Sequence, residues 1–232
     1  MQYRTIFGID SHARTTTVCT LVVETGETEK RTFNGNPYEE MHGWMAKFPS
    51  PSVGVYEAGC TGFVPARMLS RECREVHPIA PSKMPRDDDS AKQKNDRRDA
   101  ERLARWELAG SLKAVWVPDE ETEGLRDLCH AIEDRRQDRT SAYLRVQGLL
   151  CRHGKVWNER TKAGHLKATW TKAYFAWLDT IALPSPGAQE ALDSAVAAAR
   201  SAKERYDELV AKAKKVAAES KYADVISALC CL

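Results

Sequence analysis

Thr5-Ile6-Phe7-Gly8-Ile9-Asp10, followed by Thr15-Thr16-Thr17-Val18-Cys19-Thr20-Leu21-Val22-Val23, is the stretch from which the fold is read. The first run is short, apolar and ends on a carboxylate. The second is rich in β-branched residues, whose stiff side chains suit a pleated strand. Glu24-Thr25-Gly26-Glu27 has turn chemistry, and Thr28 to Phe33 reads as the returning strand. Pro37 opens a helix with Met41, Trp44, Met45 and Phe48 on one side. Ser52-Val53-Gly54-Val55-Tyr56-Glu57 is a fourth strand, again ending on a carboxylate. The pattern predicts a helix over 63–73 and a strand over 75–79, where Pro78 favours a sheet edge. A polar loop from Pro81 to Lys94 and a helix over 95–108 follow.

Three antiparallel strands, helix, strand, helix, strand, helix is the element order of an RNase H-like (RuvC-like) α/β mixed sheet, here assigned to residues 1–114. That is an expectation about fold, and fold alone does not give function. From Pro118 onward the strand signal vanishes, so residues 115–232 are read as an all-α coiled-coil hairpin. Its long helices are expected over 120–153 and 188–218. In the second, Leu192, Ala195, Ala199, Ala202, Tyr206, Leu209, Ala213 and Val216 recur in steps of three and four, a coiled-coil seam. In the first, Leu125, Leu128 and Ile132 start a seam that Arg135 and Arg139 interrupt before Ala142, Val146 and Leu149 resume it. Two buried arginines are costly. Either they face a partner's carboxylates or a phosphate, or the seam drifts and they point to water. Trp157, Trp170, Tyr174, Phe175 and Trp177 form an aromatic connector, more in keeping with a core than with a stacking platform.

The 232 residues are 42% hydrophobic and 29% charged, with 35 Lys+Arg against 33 Asp+Glu and a net charge of +2. A chain of this length buries a core without staples. No run approaches the roughly 18 apolar residues of a membrane span, and the N-terminus lacks the layout of a signal peptide. The seven cysteines (Cys19, Cys60, Cys73, Cys129, Cys151, Cys230, Cys231) are scattered with no C-x-x-C pair. That argues against a disulfide framework or zinc site and for a reducing cytoplasm. Near-neutrality hides an asymmetry: residues 1–60 carry a net −2, while Arg135 to Lys172 carries ten Lys/Arg and two Asp/Glu, a net +8. Clustered positive charge with aromatics is the footprint of a nucleic-acid binder. A solvated helix face balanced by its neighbours accounts for it equally. The cations singled out for backbone contact are Arg135, Arg136, Arg139, Arg145, Arg152, Lys155 and Lys172.

The residues suited to chemistry are carboxylates. Asp10 and Glu57 end predicted strands, and neighbouring strands lie about 4.8 Å apart, so their side chains can converge. Asp96 and Asp99 are three apart near a helix start and share a face. Four converging carboxylates repel unless cations neutralise them, and hard oxygen ligands select Mg²⁺ or Mn²⁺. Two such ions about 3.5–4 Å apart bind a phosphodiester and stabilise attacking and leaving oxygens. Taken singly, each residue has a plainer role: accepting turn hydrogen bonds, ending a strand, or favouring a helix N-terminus. Asp87-Asp88-Asp89 competes but sits in the polar loop, and His12 ranks second to Asp10. No G-x-x-x-x-G-K-[ST] loop or G-x-S-x-G elbow is present.

Gly8-Ile9-Asp10-Ser11-His12, Tyr56-Glu57-Ala58-Gly59-Cys60-Thr61-Gly62 and Lys94-Asn95-Asp96-Arg97-Arg98-Asp99-Ala100 together resemble the signature of DEDD-type insertion-sequence transposases. The stretches Val117-Pro118-Asp119-Glu120-Glu121-Thr122-Glu123, Arg152-His153-Gly154 and Trp170-Thr171-Lys172 resemble that family's helical region. The resemblance implies a RuvC-like domain in which Asp10, Glu57, Asp96 and Asp99 are the four acidic residues, two Mg²⁺ (or Mn²⁺) ions, DNA as substrate and a bridge RNA as guide. It also implies a C-terminal domain bearing a nucleophilic serine, and no residue here is assigned that part. Ser227-Ala228-Leu229-Cys230-Cys231-Leu232 is an apolar run where a natural terminus is more often polar, so the expectation is a truncated chain. Homo-oligomerisation through the coiled coil belongs to the same expectation. Two other readings stand beside it: a self-sufficient RuvC-like Mg-dependent nuclease, and a non-catalytic relic that binds RNA or partner protomers.

Overall fold

The computed structural model describes residues 3–85 and 96–230, apart from the side chains of Asp96, Arg97 and Cys230. The chain forms two compact units, Met1–Pro118 and Asp119–Leu232. The first is mixed α/β. Its strands are β1 (Thr5–Ser11), β2 (Thr15–Val22), β3 (Thr28–Asn34), β4 (Ser52–Glu57) and β5 (Arg74–Ile79). They form one sheet in the order β3-β2-β1-β4-β5, with β1, β2 and β3 antiparallel and β4 and β5 parallel to β1. This arrangement is consistent with an RNase H-like fold.

Alternation along the strands divides the core in two. Phe7, Ile9, Val18, Phe33 and Tyr56 point to the face covered by α1 (Tyr38–Met45) and α2 (Val64–Leu69), where Met41, Trp44, Met45 and Leu69 complete the cluster. Ile6, Val53 and Val55 point to the other face, which α3 (Asp96–Leu108) covers with Leu103 and Ala104. Gly8 sets how closely α3 approaches. A Cβ there would lie 1.9 Å from the Ala100 carbonyl oxygen, so only glycine admits the helix backbone at this distance. A salt bridge of 2.6 Å from Lys30 on β3 to Glu101 ties the helix across the sheet.

The helix expected over 63–73 stops at Leu69, with Ser70 extended. Arginines take over the carbonyls it leaves: Arg71 donates to Met68 and Ser70, and Arg74 Nε donates to Leu69 at 2.9 Å. Arg71 and Arg74 then exchange backbone hydrogen bonds, so the chain turns into β5. β5 is a sheet edge, as Pro78 predicts, and Val115 N–H donates to the Pro78 carbonyl beyond it.

The second unit is helical: α4 (Glu120–Arg152), α5 (Lys172–Leu178), α6 (Pro186–Glu219) and α7 (Ala223–Cys230). Its long helices start on side-chain caps. Asp119 accepts from Thr122 N–H at 2.9 Å, and Ser185 accepts from Ala188 N–H at 3.3 Å with Pro186 at the first helical position. α4 and α6 run antiparallel. The Thr122 and Tyr222 hydroxyls meet at 2.8 Å at one end, and Arg139 lies over the Tyr206 ring midway. Ala142, Val146 and Leu150 of α4 pack with Leu192, Val196, Ala199 and Ala202 of α6, and α5 closes this core with Tyr174, Phe175 and Leu178. Among the described residues, no helix is long and apolar enough to cross a membrane.

Candidate active site

The site is built from one row of the sheet. Lys30, Cys19, Gly8 and Val55 are successive register partners on the face under α3. Cys19 there is fully buried, and burial pushes its thiol up to about 11, so it is an inert core residue. Two residues further along β1 comes Asp10, which pairs with Thr17, itself paired with Thr32. Ile9 pairs with Tyr56, so the next positions, Asp10 and Glu57, sit side by side on parallel strands and share a face.

α3 runs antiparallel to β1, because Ala100 lies over Gly8 and Ala104 packs with Ile6. Its first turn therefore points toward the strand ends that carry Asp10 and Glu57. Leu103 packs on Val55 and Ile79, and Asp99 lies about one helical turn earlier, in the direction of Glu57. Asp96 opens the helix, but its side chain lies outside the described residues, as does all of Asp87-Asp88-Asp89.

The individual groups are held differently. The Asp10 side chain is only 12% exposed, and His12 Nε2 lies 3.1 Å from both of its oxygens. Asp99 accepts a 2.6 Å ion pair from Arg102, whose guanidinium stacks 5.1 Å from the Trp106 ring centroid. Glu57 is exposed at the end of β4. The following amide, Ala58 N–H, donates to the Ile79 carbonyl, and the Tyr56 hydroxyl donates to Gly62, so the loop after Glu57 is pinned at both ends. Beside Asp10, the Thr17 and Thr32 hydroxyls meet at 3.0 Å.

Among the described residues, no group of three or more His, Cys, Asp or Glu is gathered closely enough to hold a metal ion. The donor set suits a hard divalent cation nonetheless: every candidate is a carboxylate, and Asp10 and Glu57 each follow the last pair of the β1–β4 ladder. A cleft of about 300 Å³ lined by Tyr3, Ile6, Val53, Glu107 and Leu108 lies at the opposite end of β1 from Asp10. It is no part of this arrangement.

His12 lies two residues after Asp10 in the sequence, whereas Thr17, Thr32 and Arg102 join the arrangement only in the structure. The i, i+3 spacing of Asp99 and Arg102 was a readable signal on a helix. Thr17 and Thr32 had none, because strand register across a row is a tertiary property.

The cations of the second unit separate into two groups. Arg136 forms a bidentate pair with Glu133, at 2.7 and 2.6 Å, and Arg135 pairs with Asp138 at 3.0 Å. Arg136, then Gln137, pulls the Glu133 carboxyl down to about 2. Arg139 stays on the α4–α6 seam. Its guanidinium stands 3.9 Å from the Tyr206 ring centroid, and its Nε is buried with no hydrogen-bond partner. By contrast, Arg145, Arg152, Lys155 and Lys172 have no carboxylate partner among the described residues.

Comparison with known proteins bears on the chain as a whole. A family model of the IS110 DEDD type, described as a transposase, matches residues 7–154. The chain is also 36% identical over 141 residues to a Sinorhizobium fredii (strain NBRC 101917 / NGR234) protein named "Putative transposase y4qE". That match covers 61% of this chain and 34% of the relative, so the chain spans about a third of the relative's length.

Proposed function

The chain belongs to the IS110-type DEDD transposase family, and on that premise we propose that its first unit handles the scissile phosphodiester of DNA during transposition. The observation that carries this reading is the β1–β4 register, whose last pair, Ile9–Tyr56, leaves Asp10 and Glu57 as the next position on each strand, on the face that α3 covers.

Mg²⁺ or Mn²⁺, as two ions, would be held by Asp10, Glu57 and Asp99 together with Asp96. Bound there, such ions supply charge compensation at the phosphate and activate the attacking oxygen. The chain's own residues do the positioning. His12 Nε2, 3.1 Å from both Asp10 oxygens, would help to hold that carboxylate. Arg102 holds Asp99 from the next turn of its helix. Gly8 lets α3 come near enough for its first turn to meet the strand ends.

The same proposal includes a nucleophilic serine supplied from outside these residues, a bridge RNA as guide, and pairing of protomers through the helices of the second unit. The test is incubation of the purified chain with linear and branched DNA plus Mg²⁺ or Mn²⁺, alone and with a serine-bearing domain from a longer relative added. Metal-dependent strand breakage abolished by Asp10→Asn and by Glu57→Gln is the expected result. A fall of roughly 10–100-fold is expected for His12→Ala, which loses only the support of a ligand. Breakage without the added domain favours the self-sufficient nuclease. Breakage indifferent to both carboxylate changes would overturn the assignment.

A further inference from the structure

The positive charge that marks Arg135 to Lys172 is unevenly distributed. Within residues 133–139 the three arginines are matched by Glu133, Asp134 and Asp138, and that segment is neutral. The pairs described above show where the neutralisation occurs. Residues 153–171, between α4 and α5, carry four Lys/Arg against the single acid Glu159, a net of +3, and Arg152 and Lys172 on the flanking helix ends raise it to +5. The excess charge therefore gathers on the connector and the two helix ends that flank it.

The connector is built rather than loose. Gly154 ends α4 at φ 64°, and the chain then folds into a small hairpin in which Arg160 bridges Leu166. Thr161 N–H donates to His165 at 2.7 Å, Gly164 N–H donates back to Thr161 at 2.9 Å, and Lys167 N–H donates to Glu159 at 2.8 Å. This turn places Lys162 at the hairpin tip. The base is anchored by Trp157, whose Nε1–H donates to the Lys167 carbonyl and whose ring packs 5.3 Å from both Tyr174 and Trp177. Residues 158–169 are all exposed.

Each tryptophan of the connector already packs on other rings. Tyr143 and Trp170 stack on each other, with centroids 3.6 Å apart and planes within 2° of parallel. With its aromatics used internally, the surface offers charge without a platform for unstacked bases. That chemistry suits the sugar–phosphate backbone of a duplex, read without regard to sequence.

We infer that the Arg152–Lys172 connector, with Lys162 at its tip and Lys155 and Lys172 at its base, is the surface that grips the DNA duplex backbone. The paired arginines of α4 are not. The inference rests on the reading of the chain as a DNA-acting protein but not on its metal site.

The test compares two variants of equal charge change, Lys162→Gln/Lys172→Gln and Arg135→Gln/Arg136→Gln, in the full chain, with circular dichroism confirming the helices. Affinity for a labelled duplex DNA is measured in EDTA across a salt series, with duplex RNA of the same sequence in parallel. The lysine variant is expected to lose about tenfold in DNA affinity, its log–log salt slope falling by about 1.8, or about 0.9 per lost phosphate contact. The arginine variant stays within about threefold of the parent. Equal losses, a larger loss in the arginine variant, or a response confined to RNA would overturn the inference. Failure of the cleavage test with this pattern intact removes the catalytic reading alone, whereas a parent chain that binds no duplex at low salt removes both.

Discussion

A Cβ at position 8 would meet two backbone atoms of α3, the Ala100 carbonyl oxygen at 1.9 Å and the Ala104 amide nitrogen at 2.7 Å. Neither can rotate away as a side-chain tip would, so the helix itself must shift. Gly8→Ala is expected to cost about 1–3 kcal/mol, in line with other overpacked cores. For a chain of this size that is a fall of about 2–4 °C in Tm per kcal/mol. Calorimetry measures it, and hydrogen exchange should show lost protection in α3. An unchanged Tm would mean that α3 does not rest on β1 at this point. Because Asp99 rides on the same helix, the substitution should also depress strand breakage more than its stability cost accounts for.

The helix pair of the second unit sets two effects against each other at Arg139. A desolvated cation–π contact such as that with Tyr206 is worth about 0.5–2 kcal/mol. A buried polar group without a hydrogen bond costs about 1–3 kcal/mol, and Arg139 Nε is one. With the Tyr143 ring also 5.9 Å from the guanidinium, the two effects are of similar size. Arg139→Met, which keeps the stem and packs on the ring, is therefore expected to leave denaturant stability unchanged. A loss of more than about 1 kcal/mol would show that the guanidinium stabilises the seam. The neighbouring small residues explain how the arginine is tolerated. Ala199 and Ala202 let the helices close tightly beyond it, where Val146 is fully buried, while Val216 toward the other end is 48% exposed.

At the scale of the molecule, the two units have separate cores, with the sheet residues in one set of clusters and α4, α5 and α6 in another. Leu192 is 1% exposed within the second. Leu192→Ala is expected to cost about 2–5 kcal/mol through lost burial and the cavity left behind. Native-state hydrogen exchange should locate that cost in α4 and α6 and leave the amides of β1 and β4 protected as before. Equal loss of protection in both units would show that they unfold as one.

The sequence by itself determined the order of elements in the first unit, the two long helices of the second but not α5 or α7, the strand ends that carry Asp10 and Glu57, and the concentration of charge between Arg135 and Lys172. These are local properties: period-2 and period-3.6 patterning, turn residues and simple counts are all written within a few neighbouring residues. The end of α2 was less legible, because the carbonyls left beyond Leu69 are satisfied by arginines that a helical pattern does not reveal. Tertiary structure alone decided the pairing of β1 with β4 between partners such as Thr5 and Ser52, the placing of His12 against Asp10, the row that adds Thr17 and Thr32, and which cations are already neutralised by their neighbours. Each of these depends on where a distant or neighbouring side chain comes to rest, and that position is set by close packing across the sheet and between helices rather than by any pattern along the chain.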